Sequence, residues 1–329
     1  MWAVTLRRFR PDSVGAFAAL LGLAALALVT GMQMSDQFHS SGLAECLTRP
    51  AADCEALRDQ FGRRFESLQV LIVPLVVLPA LLGAFVGAPV VARELEHGSH
   101  RFLWTQGVTR ARWLAATAFG ALALAAVTGA AYAAIAARWL DVTNRVTGER
   151  FGRLYDFQGV VPIAASVFAV AVGIAAGVVL RRTVPAMVAT AGVYVVVRLF
   201  LGTQVRPRLA APVTVDVPGF SPESAATAPA GWILSQRTLT ADGMELGRGG
   251  GLNLANIGTR CPDLDLRPGS LPDRSAVDRC LDLLGVHQVT RYHPASRFWT
   301  FQLIESGILI ALAGLSMAVA ASLLPRRSV

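Results

Sequence analysis

Six apolar runs of roughly 19–25 residues divide this chain: Val14–Met32, Leu68–Val91, Trp113–Ala137, Gly159–Leu180, Thr183–Thr203 and Phe301–Leu324. As a helix, each is long enough to cross about 30 Å of hydrocarbon. A chain that is 53% hydrophobic and only 16% charged does not wrap six such runs around one soluble core. The expected fold is an all-α polytopic membrane protein with six transmembrane helices and a small, mostly irregular, disulfide-bearing outer segment. The first run follows Arg7, Arg8 and Arg10, as a secretory signal would. No small-x-small cleavage pattern leads into a mature domain, so it is read as a span.

Charge orients the spans. With the N-terminus in the cytoplasm, the inner segments (1–13, 92–112, 181–182 and 325–329) hold 11 Arg and 3 acids. The outer segments (33–67, 138–158 and 204–300) hold 18 Arg and 18 acids, so the whole net charge of +8 falls on the inner side. Arg dense in short loops marks the cytoplasmic face, which places both termini inside a plasma membrane. Arg beside anionic headgroups accounts for the high pI, and no basic stripe interleaved with aromatics points to nucleic acid. The chain has no lysine and hence no GxxxxGK phosphate loop, and it has no HExxH or GxSxG. It is expected to be non-catalytic.

Cys46, Cys54, Cys261 and Cys280 all lie in outer segments, the side where disulfides persist. The local pairs 46–54 and 261–280 are the simplest of three connectivities, with buried free thiols as the alternative. Neither spacing resembles a metal site. His97 and His100 stand near Glu94 at Glu-x-x-His spacing, but Gly98 interrupts the helix that would align them, so no metal is expected.

The membrane domain is expected over 1–203, with spans one to five at 14–32, 68–91, 113–137, 159–180 and 183–203 and an inner loop at 92–112. An extracytoplasmic loop at 204–300, rich in Pro and Gly, is expected to form short helices and turns under one disulfide. The sixth span and a cytoplasmic tail occupy 301–329. Trp2, Leu6 and Phe9 can share one face of an interfacial lead-in. Pro74 and Pro79 predict a kink in the second span. Gly83-x-x-x-Gly87 and Gly173-x-x-x-Gly177 have the spacing that lets helices approach closely in lipid. Only Arg181 and Arg182 join spans four and five, and Thr183 is expected to cap the latter.

Two charges fall within spans, Arg198 and Glu305, at similar depth from the outer face. They can form an ion pair, snorkel to the interface or contact a substrate. The inner loop reads ARELEHGSHRFLWTQGVTRAR (92–112). Ser99 can open a short helix there and Gly107 can end it. Exposed Phe102, Leu103 and Trp104 would need a partner or the membrane to cover them. Thr109 can cap the following helix, which starts near Arg110.

The pattern Glu94-x-Glu96-x-Gly98-Ser99-x-x-x-Leu103, followed by Thr105 and Arg110 leading into a span, resembles the first cytoplasmic loop of ABC-type exporter permeases of the type-2 class. YHPASRFWTFQLIE (292–305) looks like the lead-in to the last span of large-loop members of that group. The resemblance implies that the loop carries a coupling helix, that a separate cytoplasmic ABC ATPase docks on it, and that ATP and Mg are held by that partner. It implies a membrane permease exporting a hydrophobic or amphipathic substrate, paired with a second copy or homologue in the lipid bilayer. The competing reading is a membrane-anchored sensor or interaction protein that binds a ligand through 204–300.

Overall fold

The computed structural model describes residues 10–49, 54–65, 72–97, 109–147, 149–152, 154–219, 231–249, 251–258, 260–261, 264 and 274–326. The chain divides into two units. One comprises Met1–Thr147, Leu154–Arg206 and Trp299–Val329; the other comprises Gly148–Arg153 and Pro207–Phe298.

The first unit is helical. It runs through α1 (Arg10–Ser40), a short α2 (Leu43–Cys46), α3 (Glu55–Phe65) and α4 (Ile72–Leu82). A π turn (Gly83–Gly87) leads from α4 into α5 (Ala88–His97), followed by α6 (Arg110–Thr147) and α7 (Val161–Leu180). Next come α8 (Thr183–Phe200), a second π turn (Leu201–Val205) and a 3-10 turn (Arg206–Arg208). Among the described residues five stretches are long and apolar enough to cross a membrane: Val77–His97, Arg110–Val146, Val161–Leu180, Thr183–Arg208 and Ala295–Leu324. The first expected span lies within the 31-residue α1, outside those five. In the second, the backbone stays helical through Pro79, and the irregularity is the π turn.

The centre of this unit is α7, which packs against α5, α6 and α8 and is the most buried of the five stretches. Its sequence explains why. It has no charged residue, and glycines at 173 and 177 remove side-chain bulk on one face. That face meets Gly83 and Gly87. A Cβ on Gly83 would lie 2.6 Å from the Ala169 carbonyl oxygen, and one on Gly87 2.6 Å from that of Val170. A Cβ on Gly177 would lie 2.9 Å from the Ala88 carbonyl oxygen, and Gly173 is closed in by the Gly83 carbonyl. The two small-x-x-x-small motifs therefore form one contact, backbone on backbone. In lipid, where apolar surface gives no preference for protein over solvent, such close packing is what holds helices together.

A second cluster joins α1 to α6. Met34, Phe38, Tyr132, Trp139 and Leu140 are buried together with Leu43, Cys54 and Phe61. The Trp139 indole donates to the Thr30 hydroxyl at 2.9 Å. The Cys46–Cys54 disulfide ties α2 to the start of α3, with Cys54 inside this cluster.

The second unit departs from the expected irregular loop. It contains a four-stranded antiparallel sheet of β1 (Val213–Pro218), β2 (Gly231–Leu239), β3 (Glu245–Arg248) and β4 (His287–Pro294) in the order β1-β4-β2-β3. Between β3 and β4 the described residues include two short helices, α9 (Leu254–Gly258) and α10 (Arg274–Leu283). The register runs Val213↔Tyr292 to Pro218↔His287 and Gly231↔Pro294 to Leu239↔His287. The β2–β3 turn is built by TADG: Thr240 accepts from the Met244 amide at 3.1 Å, and Gly243 takes φ +82. Leu246, Leu281 and Val286 form a small core, and Cys261–Cys280 pins α10 beside it. This disulfide has a sequence separation of 19. Cys280→Ser is therefore expected to cost the second unit about 3 kcal/mol, read as a lower unfolding midpoint that matches the parent under reductant.

The last helix, α11 (Phe298–Arg326), carries the sixth expected span.

Candidate coupling end and a buried charge cluster

The expected coupling residues are only partly within the described structure. Gly98, Ser99, Phe102, Leu103, Trp104 and Thr105 lie outside the described residues. The flanks are described. On one side α5 ends at His97, whose Nδ1 lies 2.9 Å from the Arg93 carbonyl oxygen. On the other, the Thr109 hydroxyl accepts from the Arg112 amide at 3.3 Å and caps α6, with Arg110 as its first residue.

Glu94 and Glu96 separate in role. Glu94 is buried on α5. Glu96 leaves its own helix: one carboxylate oxygen accepts from the Thr183 amide at 2.9 Å and from its hydroxyl at 2.7 Å. Thr183 is thus not the cap expected from sequence. Arg182 holds the N-cap position in extended conformation and gives no side-chain cap, so the open amide of α8 is taken by an acid from α5. A negative charge at a helix N-terminus is favourable both as acceptor and against the helix dipole. Spacing explains why the two meet. Ala88, Ala92 and Glu96 recur every four residues on one face of α5, and Thr183, Ala186 and Thr190 share a face of α8. Ala88, Ala92 and Ala186 are buried against one another, which brings the helices close enough for the carboxylate to reach. Arg181, at φ 55, turns the chain between α7 and α8, with its amide bonded to the Gly177 carbonyl at 3.0 Å.

At the other end of the same unit lies a cluster of four charges. The Arg198 guanidinium donates to Glu305 Oε1 at 2.6 Å and to Asp156 Oδ1 at 2.5 Å. Arg206 donates through Nε to Glu305 Oε2 and through Nη2 to Glu305 Oε1, both at 2.9 Å, a bidentate pair. Arg206 also bonds Asp156 and stacks over the Tyr155 ring with 4.1 Å to its centroid. Glu305 is 2% exposed and Arg206 7%, so their charges have little water to lean on. Two guanidinia and two carboxylates cancel formally, the arrangement that makes buried charge tolerable.

Sequence reasoning named Arg198 and Glu305 and missed Asp156 and Arg206. The π turn is what recruits Arg206. Eight residues along a straight helix rotate a side chain by about 80°, and the wider turn at Leu201–Val205 takes up that rotation. Asp156 lies in the 3-10 turn Tyr155–Phe157 before α7. Removal from water alone would push its carboxyl up, but Arg198 and Arg206 outweigh that and hold it below the usual carboxylate range. Burial, with Glu305 nearby, pushes the Tyr155 phenol well above its ordinary value.

Gln302, one turn before Glu305, completes the junction. Its side-chain oxygen accepts from the amides of Val160 and Val161 at 3.0 and 2.9 Å and caps α7, while its nitrogen donates to the Tyr155 carbonyl at 3.1 Å. Gly159 sits at φ +73 directly beneath, where a Cβ would stand 2.7 Å from that oxygen. The segment 155–161 is therefore gripped by α11 through Gln302, and by Arg198 of α8 and Arg206 of the turn beyond it, which Glu305 holds from the other side.

Both expected cysteine pairs are disulfides. Among the described residues no group of three or more His, Cys, Asp or Glu side chains is arranged to hold a metal ion.

No curated protein and no solved structure matches the chain. A family model described as ABC-2 membrane transporter related matches residues 17–206, which runs from within α1 to the end of α8 and beyond and takes in both flanks of the inner loop. The chain is thus a multi-pass membrane protein of the ABC-2 permease type and belongs to the ABC-2 membrane transporter related family.

Proposed function

We propose that this chain is the membrane half of an ABC exporter, driven by a separate cytoplasmic ATPase that docks on residues 98–108. The observation that carries this reading is the Glu96–Thr183 contact beside that loop. A push on the loop moves α5 and α6, its two flanks, and the Glu96 cap extends the same push to α8. Three of the membrane helices then move together at the cytoplasmic end, which is what a coupling element needs in order to alternate access. ATP and Mg belong to the partner, since a chain without lysine lacks the phosphate-loop lysine. A second copy or homologue completes the path, and the apolar helices suit a hydrophobic or amphipathic substrate. In this arrangement both termini are cytoplasmic in the plasma membrane.

The test separates docking from transmission. Leu103→Ser with Trp104→Ser is expected to abolish ATPase co-purification while membrane insertion is retained. Glu96→Ala is expected to keep the ATPase bound but cut transport at least tenfold, because α8 no longer follows the loop. Normal transport in the Leu103/Trp104 variant would overturn the coupling assignment, and normal transport in Glu96→Ala would remove α8 from the route.

A further inference from the structure

One residue before the end of β4 stands a histidine, His293, that is 0% exposed. Its ring lies 5.7 Å from that of Trp232 and 6.4 Å from that of Phe151, centroid to centroid. Both of its nitrogens are engaged. Nε2 lies 3.2 Å from the Pro207 carbonyl oxygen, and Nδ1 lies 3.4 Å from Nη1 of Arg297. These partners fix the protonation state. A carbonyl oxygen only accepts and a guanidinium only donates, so the ring is neutral with its proton on Nε2. The same Arg297 nitrogen donates to the Ala211 carbonyl at 2.6 Å. His293 and Arg297 thus hold residues 207–211, by which the chain enters the second unit, to the turn by which it leaves. The remaining piece of that unit, Gly148–Arg153, brings Phe151 to the same ring.

We infer that His293 is an acid-sensitive latch at the root of the second unit, closed while the ring is neutral and opened when Nδ1 takes a proton. Protonation adds an N–H at Nδ1, where Arg297 already presents a donor, and sets two cations side by side. Arg297 is the partner that can swing away, and its bond to Ala211 goes with it. The charged groups on the surrounding elements are Arg297 itself, Arg208 beside Pro207, and Arg291 two residues back on the same face of β4. The 3-10 turn that carries Phe151 adds Glu149 and Arg150, and Arg150 stacks over Phe298 at 4.4 Å from the centroid. β2 meets His293 through uncharged Trp232. Burial holds the ring below the ordinary histidine value, over the opposing pull of the Pro207 bond, and the charge of Arg297 adds to the effect. The latch is therefore complete at neutral pH and is lost as pH falls below about 6.5. The inference is independent of the proposed ATPase partner; that the pH sensed is that of the outer medium rests on the orientation proposed above.

The experiment is hydrogen–deuterium exchange of the full chain in detergent between about pH 7.5 and 5, on either side of the histidine range, corrected for the intrinsic pH dependence of exchange. Protection across 207–218, the latched segment and β1, is expected to fall about tenfold at the acid end, the size of one lost hydrogen bond. His293→Gln can donate to Pro207 and accept from Arg297 at any pH, so it is expected to abolish the acid step. His287→Gln, at the far end of β4 and 3.9 Å from Asp216 in the parent, is expected to leave the step in place. A parent with no acid step overturns the latch. So does a step that persists in His293→Gln or disappears in His287→Gln. Should His293→Gln not fold, Arg297→Gln serves in its place: with the opposing cation gone the midpoint of the step is expected to move to higher pH, and an unmoved midpoint overturns the latch.

Discussion

Glu305→Gln is expected to be among the most damaging single changes in the membrane unit. It removes one of two carboxylates that share two guanidinia and leaves Arg198 and Arg206 with a single partner in Asp156. Breaking a buried pair from one side typically costs about 3–5 kcal/mol, because the remaining charge stays buried without compensation. Thermal unfolding of the detergent-solubilised chain, followed by recovery of monodisperse protein, reads this directly. Exchanging Arg198 and Glu305 is not expected to restore stability: a carboxylate at 198 would face Asp156, and a guanidinium at 305 would face Arg206. Removing one charge of each sign, Glu305→Gln with Arg198→Gln, is expected to recover part of the loss. A Glu305→Gln variant as stable as the parent would dismiss the cluster as a structural lock. The acid limb has a defined sign as well. Asp156 holds its proton less tightly than an ordinary carboxyl, so its contribution is complete at neutral pH and is lost only as pH falls below about 4.

The second large effect is expected at the glycine contact. Gly83→Leu places a branched side chain against the Ala169 backbone, where even a Cβ would stand at 2.6 Å. Because backbone cannot rotate aside as a side chain can, α7 must move away from α4 and α5. The cost is expected to exceed the 1–3 kcal/mol usual for overpacking, and Gly173→Leu is expected to match it. Gly120→Ala and Gly192→Ala are the controls. Both lie in helices with nothing within 4 Å of a new Cβ, so each is expected to be neutral or stabilising by up to about 1 kcal/mol. The same melting experiment distinguishes them. Equal tolerance at all four positions would show that the α7 contact is not tight.

These two features differ in how visible they are in the sequence. The glycine motifs are visible as spacing, and each fits a helix crossing; that the two motifs meet each other follows only from the fold. Arg198 and Glu305 stand out because a charge inside an apolar run is costly wherever it lies. Asp156 and Arg206 do not, because each sits just beyond a run among ordinary loop charges and is recruited by a turn that no residue pattern marks. Glu96 and Thr183 were each singled out, but for different roles, and it is the Ala88–Ala92–Ala186 contact that joins them. The sheet of the second unit escaped a reading based on apolar alternation for a clear reason. β4 buries Gln288 and Thr290 on one face and His293 on the other, and β2 buries Thr238, so burial in these strands does not follow hydropathy. The TADG turn between β2 and β3 was the available signal, flanked by residues of high strand propensity.

In the proposed mechanism this permease draws its energy from a cytoplasmic ATPase through the loop at 98–108. The most direct measurement is mild-detergent purification of the tagged full chain after crosslinking in cells, with mass spectrometry and an ATPase assay on what is recovered. The expected result is a Walker-motif ATPase that co-purifies with the parent and is lost when residues 98–107 are altered. Recovery of the chain alone, repeated under crosslinking and indifferent to the loop, would contradict the claim and turn attention to the second unit as a sensor or partner-binding module.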